Sequence, residues 1–328
     1  MKIISKAFKV VTILTLTFGI YSCDDDDNEN VIEVEANIAE LAQADNDLSS
    51  FVSALSEANL VAEFEGSTEF TVLAPSNAAF TAFLTENGWD NVGEVPEEVL
   101  RQVLLNHVIA GRYSSSALSA QSSGYLTTES TAGPNDNKIS IYYNAISGVS
   151  FNGGSNNGGA AVDQADILAT NGIIHKVDAV IELPTVVTFA SADANFSTLV
   201  SALTTLTPST DFVEILSRTG TGNVDTIDPP FTIFAPVNSA FEAITIPTDE
   251  TELAAILQYH VVSGANVTSS ELQNGTVATL NGDVTIDTNG PTVTGSGNAE
   301  ATTIIATDVQ AVNGIIHVID DVLLPPAN

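Results

Sequence analysis

The sequence predicts an α+β fold made twice: two tandem copies of one domain, each two packed β-sheets with flanking α-helices. Three observations lead there. Four blocks recur in the same order, with length differences only between them. Each copy mixes stretches of helical spacing with short β-rich runs. Hydrophobic residues make up 44% of the 328, enough for two cores of ordinary size. The repeat is direct. Phe70-Thr71-Val72-Leu73-Ala74-Pro75-Ser76-Asn77-Ala78-Ala79-Phe80 returns as Phe231-Thr232-Ile233-Phe234-Ala235-Pro236-Val237-Asn238-Ser239-Ala240-Phe241. Asn106-His107-Val108 returns as Tyr259-His260-Val261, and Asn171-Gly172-Ile173-Ile174-His175 as Asn313-Gly314-Ile315-Ile316-His317. Phe51-Val52-Ser53-Ala54-Leu55 matches Leu199-Val200-Ser201-Ala202-Leu203, and the seam falls near Pro184-Thr185, giving copies at 36–184 and 185–328.

The elements follow in chain order. Residues 1–22 carry Lys2, Lys6 and Lys9 and then an apolar stretch from Val10 to Tyr21. Twelve helical residues reach about 18 Å, short of a ~30 Å hydrocarbon core, so the segment has the dimensions of a secretory signal. It ends Gly19-Ile20-Tyr21-Ser22-Cys23, which resembles a bacterial lipobox, with Cys23, the one cysteine of the chain, as the lipidation point. The run Asp24-Asp25-Asp26-Asp27-Asn28-Glu29-Asn30 reads as a solvated tether over residues 23–35. It also resembles the export signal that sends lipoproteins of Bacteroidetes-type bacteria to the outer face of the outer membrane.

Within the copies, Leu48, Phe51, Val52 and Leu55, and again Phe196, Leu199, Val200 and Leu203, sit at helical spacing. The Phe-Thr-Val-Leu and Phe-Thr-Ile-Phe runs predict short buried strands stopped by Ala-Pro. Asn77 and Asn238 are expected to cap the short helix that follows, with Ser76 a rival in the first copy. Val99, Leu100, Val103 and Leu104 mark a second helix, matched by Leu253, Ile256 and Leu257 with Asp249 and Glu252 placed to cap it. Asn152-Gly153, Asn274-Gly275, Asn281-Gly282 and Asn289-Gly290 are turn signals. The closing block opens with another Asn-Gly turn, Asn171-Gly172 and Asn313-Gly314, and becomes a strand, with Ile173, His175, Val177 and Ile181 on one face and Ile315, His317, Ile319 and Leu323 on its counterpart.

In combination, the Phe-Thr-Val-Leu-Ala-Pro-x-Asn-x-Ala-Phe block, the central His-Val and the closing Asn-Gly-Ile-Ile-His block resemble the fasciclin domain. The resemblance implies strands in two packed sheets with helices on the N-terminal side, and extracellular adhesion or ligand binding without catalysis. Asn106 departs from the Tyr that the family places before the histidine, and residues 204–230 form a longer segment expected to be an extended loop.

Lys and Arg number 8 against 41 Asp and Glu, a net charge of −33. Removing the three N-terminal lysines of the 8 leaves 5 bases against 41 acids, a formal −36. Such a field repels phosphate backbones and excludes nucleic acid as a partner. One cysteine excludes an intrachain disulfide framework. His107, His175, His260 and His317 all lie in the repeated blocks; His175 and His317 alternate with Ile and Val, and His107 and His260 follow Val103 and Ile256 at i+4 on the apolar side of a helix end, which favours core histidines over a metal set, and no metal or cofactor is expected. Asp178 and Asp320 alternate onto the opposite face, as strand-end partners. No Gly-x-Ser-x-Gly elbow occurs, and the reading is of a non-enzyme.

Two short motifs remain. Asp166-Ile167-Leu168 resembles the Asp-Ile adhesion motif assigned to animal fasciclin domains, and makes these three residues binding candidates. Asp225-Thr226-Ile227 resembles an O-glycosylation site of Bacteroidetes-type bacteria, with Thr226 the acceptor. The function these features predict is a lipid-anchored surface adhesion protein engaging polysaccharide, matrix, a cell-surface protein or neighbouring cells. The alternative is an accessory lipoprotein that binds or processes a small molecule or glycan through a pocket in one domain. A pocket with convergent polar groups in one copy would favour that alternative.

Overall fold

Each copy opens with two short helices where the apolar spacing predicts one. The computed structural model describes residues 35–326, so Cys23 and the predicted signal and acidic run lie outside the described residues. In the first copy α1 (Ile38–Ala44) and α2 (Ser49–Glu57) meet across a 3-10 turn at Asn46–Leu48. Helices this short are unstable alone. They are held by burial of Ile38, Leu48, Phe51 and Leu55 in one core. Asn37 and Glu40 close a capping box at the start of α1, a signal too local to stand out from the acidic sequence before it.

The first copy continues as β1 (Phe70–Pro75), α3 (Asn77–Glu86), α4 (Glu97–Asn106), β2 (Val108–Ala110), α5 (Ser115–Gln121), β3 (Ser123–Thr127), β4 (Ser140–Asn144), β5 (Ser150–Phe151), β6 (Ala160–Ala169) and β7 (Gly172–Val177). The second copy runs α6 (Val186–Ala192), α7 (Ser197–Thr204), α8 (Phe212–Ser217), β8 (Phe231–Pro236), α9 (Asn238–Glu242), α10 (Glu250–Gln258) and β9 (Val261–Ser263). It ends with β10 (Gly275–Thr279), β11 (Gly282–Asp287), β12 (Thr292–Gly295), β13 (Thr302–Ala311) and β14 (Gly314–Ile319). The expected long loop of the second copy therefore contains a helix, α8. As expected, Asp249 caps α10 by accepting from the Glu252 amide at 3.0 Å.

Each copy carries one seven-stranded mixed sheet, in the order β2-β1-β7-β6-β5-β4-β3 and β10-β11-β12-β13-β14-β8-β9. The two packed layers expected from the sequence are the two halves of that ladder. The long strands β6 and β13 join them, and their register shifts between Val162 and Ile167, and between Ile304 and Val309, mark bulges that bend the strand. Val72, Ala74, Val108 and Ile174 face the helices. Leu73, Ile109 and Val177, on the other face, pack on Ile141, Tyr143 and Phe151 of the opposing half. Phe234, Val262 and Ile319 repeat this against Val284, Ile286 and Val293.

At the centre β1 pairs parallel with β7, and β8 with β14. This pairing explains the Asn-Gly that opens the last block. A Cβ on Gly172 would stand 2.0 Å from the Phe70 carbonyl oxygen, and one on Gly314 2.3 Å from that of Phe231. The glycine serves close strand approach as well as the turn.

Asn77 and Asn238 need a correction. Ser76, not Asn77, caps α3 by accepting from Ala79, and Val237 at the matching position makes no side-chain cap. The asparagines instead reach back to the preceding helix. Asn77 Oδ1 accepts from the Ser50 amide at 2.8 Å and its Nδ2 donates to the Asn46 carbonyl; Asn238 does the same with Thr198 and Ala194. A helix N-terminus has orphan amides, and a neighbouring loop supplies the acceptor here.

Candidate functional site

His107 stands at the end of α4 with its Nδ1–H donating to the Val103 carbonyl at 2.7 Å, while Nε2 accepts from the Ile181 amide at 2.8 Å. His260 repeats this with Ile256 and Leu323 at 2.8 and 2.9 Å. A carbonyl on one side and an amide on the other fix the neutral tautomer. Burial pushes both imidazoles down to about 4, against the pull of the carbonyl bond. His175 accepts from the Asp166 amide through Nδ1 and donates to the Tyr113 carbonyl through Nε2. His317 donates to the Val267 carbonyl, and burial holds its pKa below the ordinary value. The two histidines of a copy thus bond separate backbone segments. Among the described residues no group of three His, Cys, Asp or Glu is arranged to hold a metal ion.

The Asp166-Ile167-Leu168 candidate divides. Asp166 sits at the bulge of β6 with φ +60°, and its carboxylate takes the Ser115 amide at 2.9 Å and the Ser115 hydroxyl. Burial alone would raise its pKa, but these hydrogen bonds and nearby His175 hold it below the usual carboxylate range. Asp308 and Ser269 form the same pair in the second copy. Ile167 packs on the helical core. Leu168 is the member left in solvent, 45% exposed. Asp178 and Asp320 are strand-end partners, accepting from Ala161 and Thr303.

The Asn106 departure has a structural counterpart. Tyr259 is buried and its hydroxyl meets the Asp283 carbonyl and the Ser296 amide, tying β11 to the end of β12. Asn106, also fully buried, instead donates to the Glu182 carbonyl at 3.0 Å, holding the segment that leads into the second copy.

That segment ends at a seam between the copies. Tyr125 of β3 donates its hydroxyl to Asp193 Oδ2 at 3.1 Å and meets Phe189 of α6 edge-on at 5.5 Å. Tyr142 of β4 joins the second copy's helical core. The Gln310 amide donates to Ser140 Oγ at 3.0 Å, and Asn157 Nδ2 donates to the Thr188 carbonyl at 2.9 Å. Burial, and then the Asp193 charge, raise the Tyr125 pKa, so the phenol stays protonated and remains a donor. Beside these contacts opens a cleft of about 630 Å³ with walls from both copies, including Tyr125, Asn195, Ser239, Glu242 and Ile305. Asn195, Ser239 and Glu242 are solvent-exposed and present an amide, a hydroxyl and a carboxylate.

Apart from Ser239, which falls in the repeated Phe231–Phe241 block, the cleft and seam residues named above lie outside the repeated motifs, which is why pattern reading passes over them. Thr226 lies elsewhere, exposed on the loop between α8 and β8, with φ +62°. Its neighbour Asp225 is held by both Arg218 Nη1 contacts at 2.9 Å and by the Ile227 amide.

Comparison with known proteins follows the same division into copies. The fasciclin domain family model matches residues 46–184 and 194–325. Protein sll1483 of Synechocystis sp. is 39% identical over 150 residues, 43% of this chain and 74% of that protein. The transforming growth factor-beta-induced protein ig-h3 of Sus scrofa is 28% identical over 301 residues, covering 87% of this chain but 37% of that protein. Among solved structures, a FAS1 domain pair from the insect cell adhesion molecule fasciclin I aligns with TM-score 0.51 at 21% identity. That alignment covers 85% of this chain and 97% of that one.

Proposed function

The chain belongs to the fasciclin domain family, and from that premise we propose that it is a lipid-anchored surface adhesion protein that holds polysaccharide in the cleft between its two domains. One observation carries the reading. The histidines and motif carboxylates of both copies are engaged with their own backbone or neighbours, while Ser239 and Glu242 present a hydroxyl and a carboxylate to solvent in a concavity walled by both domains, and Asn195, whose Nδ2 donates to Asp193 Oδ1 at 3.0 Å, adds its amide oxygen. Polar groups on a rigid concave surface suit hydroxyl-rich ligands, and domain interfaces are common places for such sites. The adhesion molecule named above offers the same domain pairing as a fold precedent.

The anchor is Cys23 and the acidic run after it is the tether; display on the outer face of an outer membrane follows from that pair of features. Thr226, exposed on its loop, carries a glycan in this reading. Mass spectrometry of protein extracted from native membranes is expected to show acyl mass on an N-terminal peptide beginning at Cys23 and glycan mass on the peptide holding Thr226. A bare Cys23, or membrane retention of Cys23→Ala, would end the anchor proposal, and an unmodified Thr226 the glycan proposal.

For the cleft, the mature chain from residue 23 retains every contact described. On a polysaccharide array and on whole cells it is expected to bind, and Glu242→Ala with Asn195→Ala is expected to weaken binding about tenfold, roughly two lost hydrogen bonds. Both side chains are exposed, and because Asn195→Ala also removes the bond to Asp193, an unchanged Tm of the double variant is the control for an intact seam. Unchanged binding by the double variant would displace the cleft, and small-molecule turnover without binding to any surface would overturn adhesion altogether.

A further inference from the structure

Between α6, α7 and α8 of the second domain lies an apolar slot of about 60 Å³. Val186, Ala190, Leu199, Val200, Leu203 and Leu216 contribute to its walls, and the only polar side chains among its lining residues are the hydroxyls of Ser191 and Thr204. The first domain closes the matching place with Phe51, Leu60 and Phe64, all buried. The match is fixed by hydrogen bonds. Asn171 donates to the carbonyls of Phe64 and Gly66, and Asn313 to those of Leu216 and Arg218, so Leu216 stands where Phe64 does.

Side-chain volume does not explain the slot. Leu199 and Leu216 replace two phenylalanines, but Phe196 and Phe212 replace Leu48 and Leu60, which nearly balances them. The connection does differ. Seven residues, 205–211, join α7 to α8, where three, 58–60, precede the corresponding 3-10 turn. The longer connection accompanies the slot, and Val213 on α8 stays 40% exposed beside it.

We infer that this slot binds the terminal carbons of a neutral, unbranched alkyl chain. Apart from the Ser191 and Thr204 hydroxyls its lining side chains offer no hydrogen-bond partner, so a sugar or peptide backbone would lose most of its water without replacement. Its volume admits a few carbons and no fused ring system. The net charge of −33 disfavours an anionic head at the mouth, whereas a hydroxyl head meets Ser191 and Thr204. The inference is independent of the cleft, which shares Phe196 alone with the lining of the slot.

The test titrates 1-hexanol and hexanoate into the mature chain. Hexanol is expected to bind saturably and raise Tm, with methyl NMR shifts concentrated at Val187, Val200 and Val213, and hexanoate to bind about tenfold more weakly. Ala190→Leu, which fills the slot, is expected to abolish binding and leave the glycan response intact. Non-saturable hexanol shifts, shifts centred on Tyr125 in the cleft, or equal binding of hexanoate would overturn the inference. So would a folded Ala190→Leu protein that binds hexanol unchanged; if that variant does not fold, the wild-type shift pattern decides.

Discussion

Asn313→Ala is expected to destabilise the second domain by about 3–5 kcal/mol, the cost of two buried backbone groups and one part-buried carbonyl losing their partner. Its Oδ1 accepts from the Val186 amide at 3.0 Å, and its Nδ2 donates to the Leu216 and Arg218 carbonyls at 2.7 and 2.9 Å. One side chain thereby joins the start of α6, the end of α8 and the turn into β14. Asn171 makes the same three bonds in the first domain, to Ile38, Phe64 and Gly66. Asn313→Asp separates the parts of this role. It keeps the acceptor for Val186 but turns a carboxylate toward two carbonyls, so at pH 7 it is expected to be at least as damaging as alanine. Urea unfolding of the mature chain measures both. A loss under about 1 kcal/mol for Asn313→Ala would show that water replaces the side chain and that the staple is incidental.

The staple also shows where sequence reading stops. Asn171-Gly172 and Asn313-Gly314 are legible as turns, because Asn and Gly tolerate the backbone a two-residue hairpin needs. The wider role is not legible, since the bonded carbonyls lie 105 and 107 residues away in the first copy. Strand and helix runs such as Phe70–Pro75 and Glu250–Gln258 are carried by local spacing and capping, and the structure has them. The parallel pairing of β1 with β7 is not carried by any local pattern, nor is the folding of one ladder into two layers by bulges. Asn77 misled for a related reason. An asparagine at a helix start looks like a cap, yet only the tertiary position of α2 decides which orphan amide it satisfies. The histidines are legible as core residues because alternation places His175 and His317 among Ile and Val, and helical spacing places His107 and His260 one turn after Val103 and Ile256. The cleft is not, since Tyr125, Asn195 and Glu242 meet only when two copies with different loops pack together.

Those histidines give the second large effect, and it depends on pH. His260→Ala is expected to cost about 3–5 kcal/mol at pH 7, combining a cavity with a stranded Ile256 carbonyl and Leu323 amide. Above pH ~6.5 the imidazole is neutral both folded and unfolded, and its contribution is fully present. Between 6.5 and about 4 the unfolded chain takes up a proton that the buried ring refuses, so stability is lost as pH falls through that window. The alanine variant has no such proton to take up. Its deficit relative to wild type should therefore shrink by about 2 kcal/mol between pH 7 and pH 5, a range that stays above the sequence pI of ≈ 4.1. His107→Ala in the first domain should behave alike, because its ring has the same two backbone partners and the same depressed pKa. A deficit that stays constant across this range would mean that the imidazole protonates in place, and that the Nε2 bond to the Leu323 amide is not what keeps the ring neutral.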